Sequence, residues 1–126
     1  MPRTPHPTDS EFAILQVLWT RGPSTVRDVH EALSARDTGY TSTLKLMQIM
    51  AEKGLVKRDE RAKTHIYTAR AQREPVERAV VAEFVARAFG GSAATLVMHA
   101  LSTHDTTPEE LAEIERLVHN YQQRHK

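Results

Sequence analysis

The sequence predicts a mainly α-helical protein with a small β wing (α+β), in which an N-terminal winged helix-turn-helix precedes a three-helix dimerisation domain. Three observations predict this class. Three amphipathic segments come first, a charged two-strand pattern follows them, and three more amphipathic segments complete the chain. A length of 126 residues suits one compact domain or a small domain with an appendage. We place the domains at residues 1–70 and 71–126.

The amino-acid composition indicates a globular protein and excludes several kinds of site. Apolar residues make up 40% of the chain and charged residues 26%, which is ordinary for a globular protein. The chain has no cysteine, so disulfides and thiolate metal sites are excluded and a reducing compartment is compatible. The amino terminus lacks an apolar secretion signal, and the uncharged stretch over residues 88–104 is too rich in glycine, serine and threonine for a membrane span. We expect a cytoplasmic protein without membrane insertion and without a cofactor.

The first helix is predicted from a capping box and an apolar face. Thr8 and Glu11 have the spacing at which a hydroxyl and a carboxylate each bond the other residue's backbone amide. Gly22-Pro23 ends the helix. The apolar face that follows the cap contains Phe12, Leu15, Leu18 and Trp19.

The second helix is shorter and follows a very short extended stretch at Ser24-Thr25. It is predicted from Val26 to about Ala35, and a turn at Asp37-Thr38-Gly39 follows. Its inward positions are Val26, Val29 and Leu33, and its outward positions are Arg27, Asp28 and Glu31.

The third helix is predicted from Tyr40 to Gly54 and has two faces. Its apolar stripe contains Leu44, Met47 and Met50, and its polar stripe contains Thr41, Lys45, Gln48 and Glu52. We expect Thr41 or Ser42 to cap the start and Gly54 to end the helix in a left-handed conformation. A short turn before the third of three such helices gives helix-turn-helix geometry.

The period then changes from helix to strand. Two strands, Leu55–Asp59 and Thr64–Thr68, are predicted around the polar loop at residues 60–63. A charged hairpin directly behind a helix-turn-helix is a wing, and the alternative is a solvated hairpin without function. Its cations, which we expect near the tip within reach of phosphates, are Lys57, Arg58, Arg61 and Lys63.

Three amphipathic helices follow, with Pro75 in the first turn of one, Ser92 as the cap of another and a capping box at Thr107-Pro-Glu-Glu110. About fifty residues make a poor independent core, whereas a second copy of the chain could cover the apolar stripes. We therefore predict a homodimer. Its predicted interface consists of Val80, Phe84, Phe89, Leu96, Leu101, Leu111, Ile114, Leu117, Val118 and Tyr121.

The exposed face of the third helix predicts a DNA-reading surface. The first 70 residues carry a net charge of +3 and the remaining residues −2, so the basic half coincides with this helix. Lys suits guanine and Gln suits adenine in the major groove, and a two-fold dimer would read an inverted repeat in double-stranded DNA. Tyr40 could pack on the sugar-phosphate backbone or on the protein itself. The reading residues are predicted to be Thr41, Ser42, Thr43, Lys45 and Gln48.

Other classes of function are less well supported by the residues. The seven histidines lack tight metal-ligand spacing, and no phosphate loop, nucleophile elbow or catalytic triad is present, so we predict no metal site and no enzyme. Two alternatives stay open. One is a winged-helix module that binds a partner protein, and the other is a metal-responsive regulator that uses histidines such as His99 and His104.

The sequence as a whole resembles the penicillinase repressor family. The resemblance runs from about Thr8 to Tyr121 and is carried, in order, by Glu11–Trp19, Gly22–Leu33, Tyr40–Leu44, Glu52–Val56, Tyr67 and Gly91-Ser92. It implies a dimeric transcriptional repressor that acts at the nucleoid and occupies an operator with dyad symmetry until a signal destroys the dimer.

The resemblance also identifies three departures from the family pattern. Ile49 stands where family members often carry arginine. The β-lactam-responsive branch is cut by a membrane sensor metallopeptidase at an Asn-Phe bond, and the matching pair, the corresponding cleavage site, is His99-Ala100. The copper-responsive branch ends in a cysteine metal motif, which a chain without cysteine lacks.

Overall fold

The computed structural model describes residues 6–33 and 39–125. The chain divides into two compact units, the first ending at Glu83 and the second beginning at Phe84. The predicted class, mainly helical with a small antiparallel wing, is confirmed. In the described residues the elements are α1 (Asp9–Arg21), α2 (Val26–Ala32), α3 (Tyr40–Lys53), β1 (Val56–Asp59), β2 (Ile66–Ala69), α4 (Arg73–Ala88), α5 (Ala93–Thr103) and α6 (Pro108–Arg124).

Local side-chain bonds define where the first helices begin. The capping box of α1 is confirmed, since the Glu11 amide donates to the Thr8 hydroxyl at 3.2 Å and the Thr8 amide donates to the Glu11 carboxylate at 2.9 Å. Thr25 and Asp28 form a second box at the start of α2, which the sequence analysis did not identify. The predicted end of α2 at Ala35 and the Asp37-Thr38 part of the turn lie outside the described residues.

The start of α3 differs from the prediction. Gly39 is the N-cap residue, with no side-chain bond, and its carbonyl accepts from the Ser42 amide at 3.1 Å. Capping by Thr41 or Ser42 was therefore wrong, because the helix begins at Tyr40 and both hydroxyls lie inside its first turn. The C-terminal end is as predicted, with Gly54 left-handed at a φ of 80°.

The wing is a two-stranded antiparallel sheet whose register runs from Val56 opposite Ala69 to Asp59 opposite Ile66. The second strand lies nearer the C-terminus than predicted, at residues 66–69 instead of 64–68. An isolated bridge joins Ser24 to Tyr67, with amide-to-carbonyl distances of 2.9 and 2.7 Å. The extended stretch predicted before α2 therefore attaches the wing to the helix-turn-helix.

The first unit encloses a hydrophobic core. Trp19 packs against its side and donates its indole N–H to the Ala71 carbonyl at 2.9 Å. A buried carboxylate, Glu11, accepts from Lys53 at 2.8 Å and links the start of α1 to the end of α3. The buried apolar residues are Ile14, Leu15, Leu18, Val26, Val29, Met47, Met50, Leu55, Val56, Tyr67, Ala71 and Val76.

The second unit exposes most of its large apolar side chains to solvent. Within the described part of the chain, neither α5 nor α6 contains a buried residue. Ser92 caps α5 as predicted, accepting from the Thr95 amide at 3.1 Å. Of the capping box predicted at Thr107, the structure shows one half, in which the hydroxyl accepts from the Glu110 amide at 3.0 Å. The large apolar side chains exposed in this unit are Phe84, Val97, Met98, Leu101, Leu111, Leu117, Val118 and Tyr121.

No single helix among the described residues is long and apolar enough to cross a membrane. Of these described helices, only α4 and α5 taken together, across the break between them, have the length and apolar composition that a membrane span requires.

Candidate nucleic-acid interface

The polar stripe of α3 lies on the surface. Met47 and Met50 point into the core and are fully buried, and this orients the opposite side of the helix towards solvent. Ile49, at the edge of that side, is half-buried. The exposed residues of the predicted reading face are Thr41, Ser42, Lys45 and Gln48.

Thr43 does not lie on this exposed face. Its side chain is buried, and its hydroxyl oxygen lies 2.9 Å from Nδ1 of His30 on α2. This bond fixes the rotation of α3 against α2, so Thr43 supports the reading face from behind. The role of His30 was not predicted, because nothing in the local sequence pattern indicates a contact between side chains 13 residues apart.

Tyr40 lies at the surface at the start of α3 and contacts two residues of α2. The guanidinium carbon of Arg27 lies 4.9 Å from the centroid of the Tyr40 ring, which is a cation–π distance. The His30 ring packs edge-on against the same ring at 5.8 Å between centroids. Both interpretations of Tyr40, a surface residue and a packing residue, are thus compatible with its position.

A groove of about 460 Å³ lies between α3 and the wing. Tyr40, Leu44 and Gln48 of α3 contribute to it, as does Lys63 of the wing loop. The sequence analysis placed Arg27 on the outer face of α2 but gave no role to it or to His65. The lining residues are Thr25, Val26, Arg27, Tyr40, Leu44, Gln48, Lys63, Thr64, His65 and Tyr67.

The wing cations differ in how they are held. Arg61 is 90% exposed and forms a two-pronged pair with Asp59, in which Nε donates to Oδ1 at 3.0 Å and Nη2 donates to Oδ2 at 2.7 Å. These hydrogen bonds lower the pKa of Asp59 to about 2. Arg58 is half-buried, and its pKa is raised by a hydrogen bond to Tyr67 and by Glu60 at 3.1 Å.

Arg58 of β1 therefore contacts both Tyr67 of β2 and Glu60 of the wing loop. The other two predicted wing cations, Lys57 and Lys63, are exposed.

A second cavity, of about 420 Å³, lies on the opposite side of α3. Lys45 and Ser42 contribute polar groups, whereas much of the lining is apolar and comes from Ile14, Leu33, Leu46 and Ile49. Because apolar walls do not favour phosphate, the wing-side groove has the better chemistry for a polyanion.

The predicted dimer residues lie mostly where a partner could reach them. Phe89, Leu96 and Ile114 are half-buried, and the six others in α4 to α6 are exposed. Val80 is the exception, because it packs against the core of the first unit. Val81, Val97 and Met98 are exposed apolar residues that the prediction omitted.

The predicted cleavage pair lies within a helix. His99 and Ala100 are exposed residues in the middle of α5, and the His99 carbonyl accepts from the Ser102 and Thr103 hydroxyls at 3.0 and 2.8 Å. The His99 ring packs against Phe89 at 5.8 Å between centroids. Among the described residues no group of three His, Asp or Glu side chains could hold a metal ion.

Comparison with known proteins identifies the family. The family description "Penicillinase repressor" matches residues 7–120, which is most of the chain. The chain belongs to the penicillinase repressor family. This family is made up of transcriptional repressors, which are not enzymes. The resemblance found in the sequence and the expectation that the protein is not an enzyme are thereby confirmed.

Two relatives and one solved structure show how far the likeness extends. The transcriptional regulator BlaI of Mycobacterium tuberculosis is 52% identical over 58 residues, which cover 43% of this chain and 42% of that protein. The penicillinase repressor of Bacillus licheniformis is 20% identical over 127 residues, covering 100% and 99% of the two chains. A MarR family protein from Bacillus stearothermophilus has the same fold, with a TM-score of 0.51 at 21% identity, over 94% of this chain and 74% of that one.

Proposed function

We propose that the protein is a sequence-specific transcriptional repressor that binds a dyad-symmetric operator in double-stranded DNA as a homodimer. It would work in the cytoplasm, at the nucleoid. The observation that carries the proposal is the exposed polar stripe of α3, which lies beside a groove with basic walls in a chain of the repressor family. Residues 1–70 would form the DNA-binding domain and residues 71–126 the dimerisation domain.

Base reading is assigned to the middle of α3. Lys45 and Gln48 are exposed and lie one and two turns from the start of the helix. Lysine can donate to the O6 and N7 atoms of guanine, and glutamine can bond the N6 and N7 atoms of adenine. Thr41 and Ser42, near the positive end of the helix dipole, suit phosphate oxygens. Thr43 is left out of this set because its hydroxyl is buried and already bonded.

Dimerisation is assigned to the open apolar face of α5 and α6. Leu117, Val118 and Tyr121 are each more than half exposed, and they lie on one stripe of α6. Monomeric proteins rarely leave so many large apolar side chains in water at one place. A symmetric partner would cover them and would hold two α3 helices at a fixed separation, as an inverted repeat requires.

Release from the operator is assigned to proteolysis of the dimerisation domain. A membrane sensor metallopeptidase is the proposed partner, and His99-Ala100 is the proposed bond. That bond lies in the middle of the 11-residue helix α5, whereas peptidases bind their substrates in extended form. Cleavage would therefore require α5 to unwind first, so a weakly held helix would make a better substrate than a stable one.

Substitution on α3 tests the proposal. An operator fragment is first selected from genomic DNA, and its binding is followed by fluorescence anisotropy with competitor DNA present. Lys45→Ala and Gln48→Ala should each weaken specific binding by about 1–3 kcal/mol. Gln16→Ala, an exposed glutamine on α1, is the matched control and should leave binding unchanged.

Two outcomes would count against the proposal. Unchanged operator affinity in both α3 variants would reject this helix as the reader. A wild-type protein with no saturable, salt-sensitive DNA binding would favour the alternative of a protein-interaction module.

A further inference from the structure

The groove between α3 and the wing contains charged groups that base reading does not use. Arg27 comes from α2 and Lys63 from the wing loop, and Tyr40 and Gln48 of α3 also line it. We propose that this groove binds one DNA strand by its phosphates, with Arg27 and Lys63 as the phosphate ligands and Tyr40 as the positioning residue for Arg27. The inference rests on the proposed function and specifies how the backbone of the operator is held.

The chemistry of the groove suits a polyanion. None of its described lining residues is acidic, and besides Arg27 and Lys63 it contains His65 and the hydroxyl of Thr64. Nucleic-acid backbones are bound mainly by arginine and lysine side chains, with hydroxyl and amide groups adding further hydrogen bonds. The groove therefore offers the two kinds of donors that phosphate contacts use.

Arg27 and Lys63 differ from the two wing arginines in having no acidic partner among the described residues. In the part of the chain that the structure describes, neither forms an ion pair, whereas Arg58 pairs with Glu60 and Arg61 with Asp59. A cation already paired with a carboxylate must lose that partner before it binds phosphate. Arg27 and Lys63 have no such partner to lose, so they should contribute more to DNA binding than the more conspicuous wing arginines.

Tyr40 gives Arg27 a defined position. A free arginine side chain loses rotamer entropy when it is fixed. The stacking of its guanidinium 4.9 Å from the Tyr40 ring centroid restricts it before DNA arrives. The tyrosine ring is itself held by a second contact, with the edge-on ring of His30. Stacking leaves the planar N–H edge available, which is the edge that binds phosphate in a two-pronged manner.

Continuity with the reading face identifies the ligand as a DNA strand instead of a small anion. Gln48, a proposed base reader, also lines the groove. A helix in the major groove has a phosphate strand along each side, and a wing beyond that strand would enclose it. A groove that extends from a base-reading residue to the wing matches this arrangement. A free phosphate ion is smaller and would occupy only one end of such a groove.

The first experiment measures the salt dependence of DNA binding for the full chain. Arg27→Gln should lower affinity about fivefold to tenfold per protomer near 0.1 M salt, on specific and non-specific DNA alike, and should reduce the slope of log K against log salt by about one per protomer. Arg78→Gln removes the same charge from an exposed arginine of α4 and is the matched control, which should leave the slope unchanged.

The second experiment is a double-mutant cycle between Arg27→Gln and Tyr40→Leu. If Tyr40 acts through Arg27, then Tyr40→Leu should weaken binding in the wild type and have little further effect in the Arg27→Gln background. Tyr40→Phe keeps the ring and should restore most of the affinity. Thermal unfolding of each variant shows whether the fold is kept.

The outcomes separate this inference from the proposed function. Wild-type binding that is salt-sensitive and specific, together with an Arg27→Gln variant indistinguishable from Arg78→Gln, would overturn the groove while leaving the repressor in place. Additive effects of Arg27→Gln and Tyr40→Leu would overturn the positioning role of Tyr40. Absence of DNA binding by the wild type would overturn both proposals.

Discussion

The two units of the chain differ in how far they bury their apolar side chains. The first encloses twelve apolar residues in a core made by α1, α2, α3, the wing and the start of α4. The second exposes eight large apolar residues, and α5 and α6 bury nothing. Composition does not explain why α5 stays exposed, because α5 is more apolar than α1 and α3. In the first unit, α1, α2 and α3 pack with the hairpin around one core.

Under the proposed function, the two units would bind different partners. The winged-helix unit completes its own core and presents polar groups outward, as a protein that binds a polyanion should. The described residues of the C-terminal unit expose an apolar face on α5 and α6. We therefore expect substitutions in the first unit to act on the folding of one chain, and substitutions in the second to act on assembly.

The largest expected effect is in the closed core. Leu15 is fully buried, and Leu15→Ala should lower the free energy of unfolding by about 2–5 kcal/mol, because the site loses apolar contacts and retains a cavity. Urea unfolding followed by the fluorescence of Trp19, the only tryptophan, reports on this unit. The loss should not depend on protein concentration. A loss that vanished at high protein concentration would place Leu15 in an interface and contradict its assignment to the core of a single chain.

The same chemical change in the open face should act on the dimer. Leu117 is 58% exposed, and Leu117→Ala should raise the dimer dissociation constant by about tenfold or more, because a symmetric interface contains the substitution twice. Sedimentation equilibrium measures this constant. His119→Ala, on the opposite side of α6, is the control. If wild-type protein sediments as a monomer at micromolar concentration, α6 has no second copy to cover it.

The buried ion pair shows the same difference between the units, because the first unit provides hydrogen-bond donors even for a carboxylate in its interior. Lys53→Met leaves the Glu11 carboxylate, 1% exposed, with only its Thr8 bonds and should cost about 1–3 kcal/mol at pH 7. Burial raises the pKa of Glu11, but the bonds from Lys53 and Thr8 outweigh burial and leave the pKa below 4.5.

The pH dependence follows from that lowered pKa. The stabilisation by ionised Glu11 is present above about pH 4.5 and is lost as the pH falls through its folded-state pKa. The difference between wild type and Lys53→Met should therefore shrink in acid, which urea titrations between pH 3 and 7 can measure. A difference that stayed constant would mean that Lys53 acts through packing alone.

The smallest expected effect concerns the exposed pair at the wing tip. Asp59→Asn removes the carboxylate that holds Arg61, so affinity for non-specific DNA should rise by a few-fold and the salt slope should steepen. Fluorescence anisotropy on random-sequence duplexes measures both quantities. A decrease in affinity would show that Asp59 aims Arg61 at the DNA. Binding tests on Leu117→Ala would show whether this wing effect survives when the dimer is weakened.

Local features of the structure could be predicted from the sequence. The capping box at Thr8 and the cap at Ser92 each involve residues three positions apart. Gly54 ends α3 because glycine adopts the left-handed conformation easily. The two stripes of α3 follow from the helical period, so the orientation of Lys45 and Gln48 was predictable. Such features depend on neighbours along one helix.

Features that depend on other elements could not be predicted in the same way. Thr43 looks like part of a polar helix start, but its burial depends on His30 in α2. Val80 fits the apolar stripe of α4, yet it packs on the first core. Arg27 is an ordinary outward residue until the wing provides the opposite wall of a groove. In each case the deciding neighbour lies in a different helix or strand.

The backbone bridge between Ser24 and Tyr67 sets the width of that groove before any ligand arrives. Its two hydrogen bonds, of 2.9 and 2.7 Å, attach the wing directly to the residues that lead into α2, three positions before Arg27. If the groove binds DNA as proposed, this attachment would leave it little conformational entropy to lose on contact. A duplex whose strand path fits this gap would bind without distortion. Any other duplex would have to bend, so DNA stiffness itself would help to select the operator.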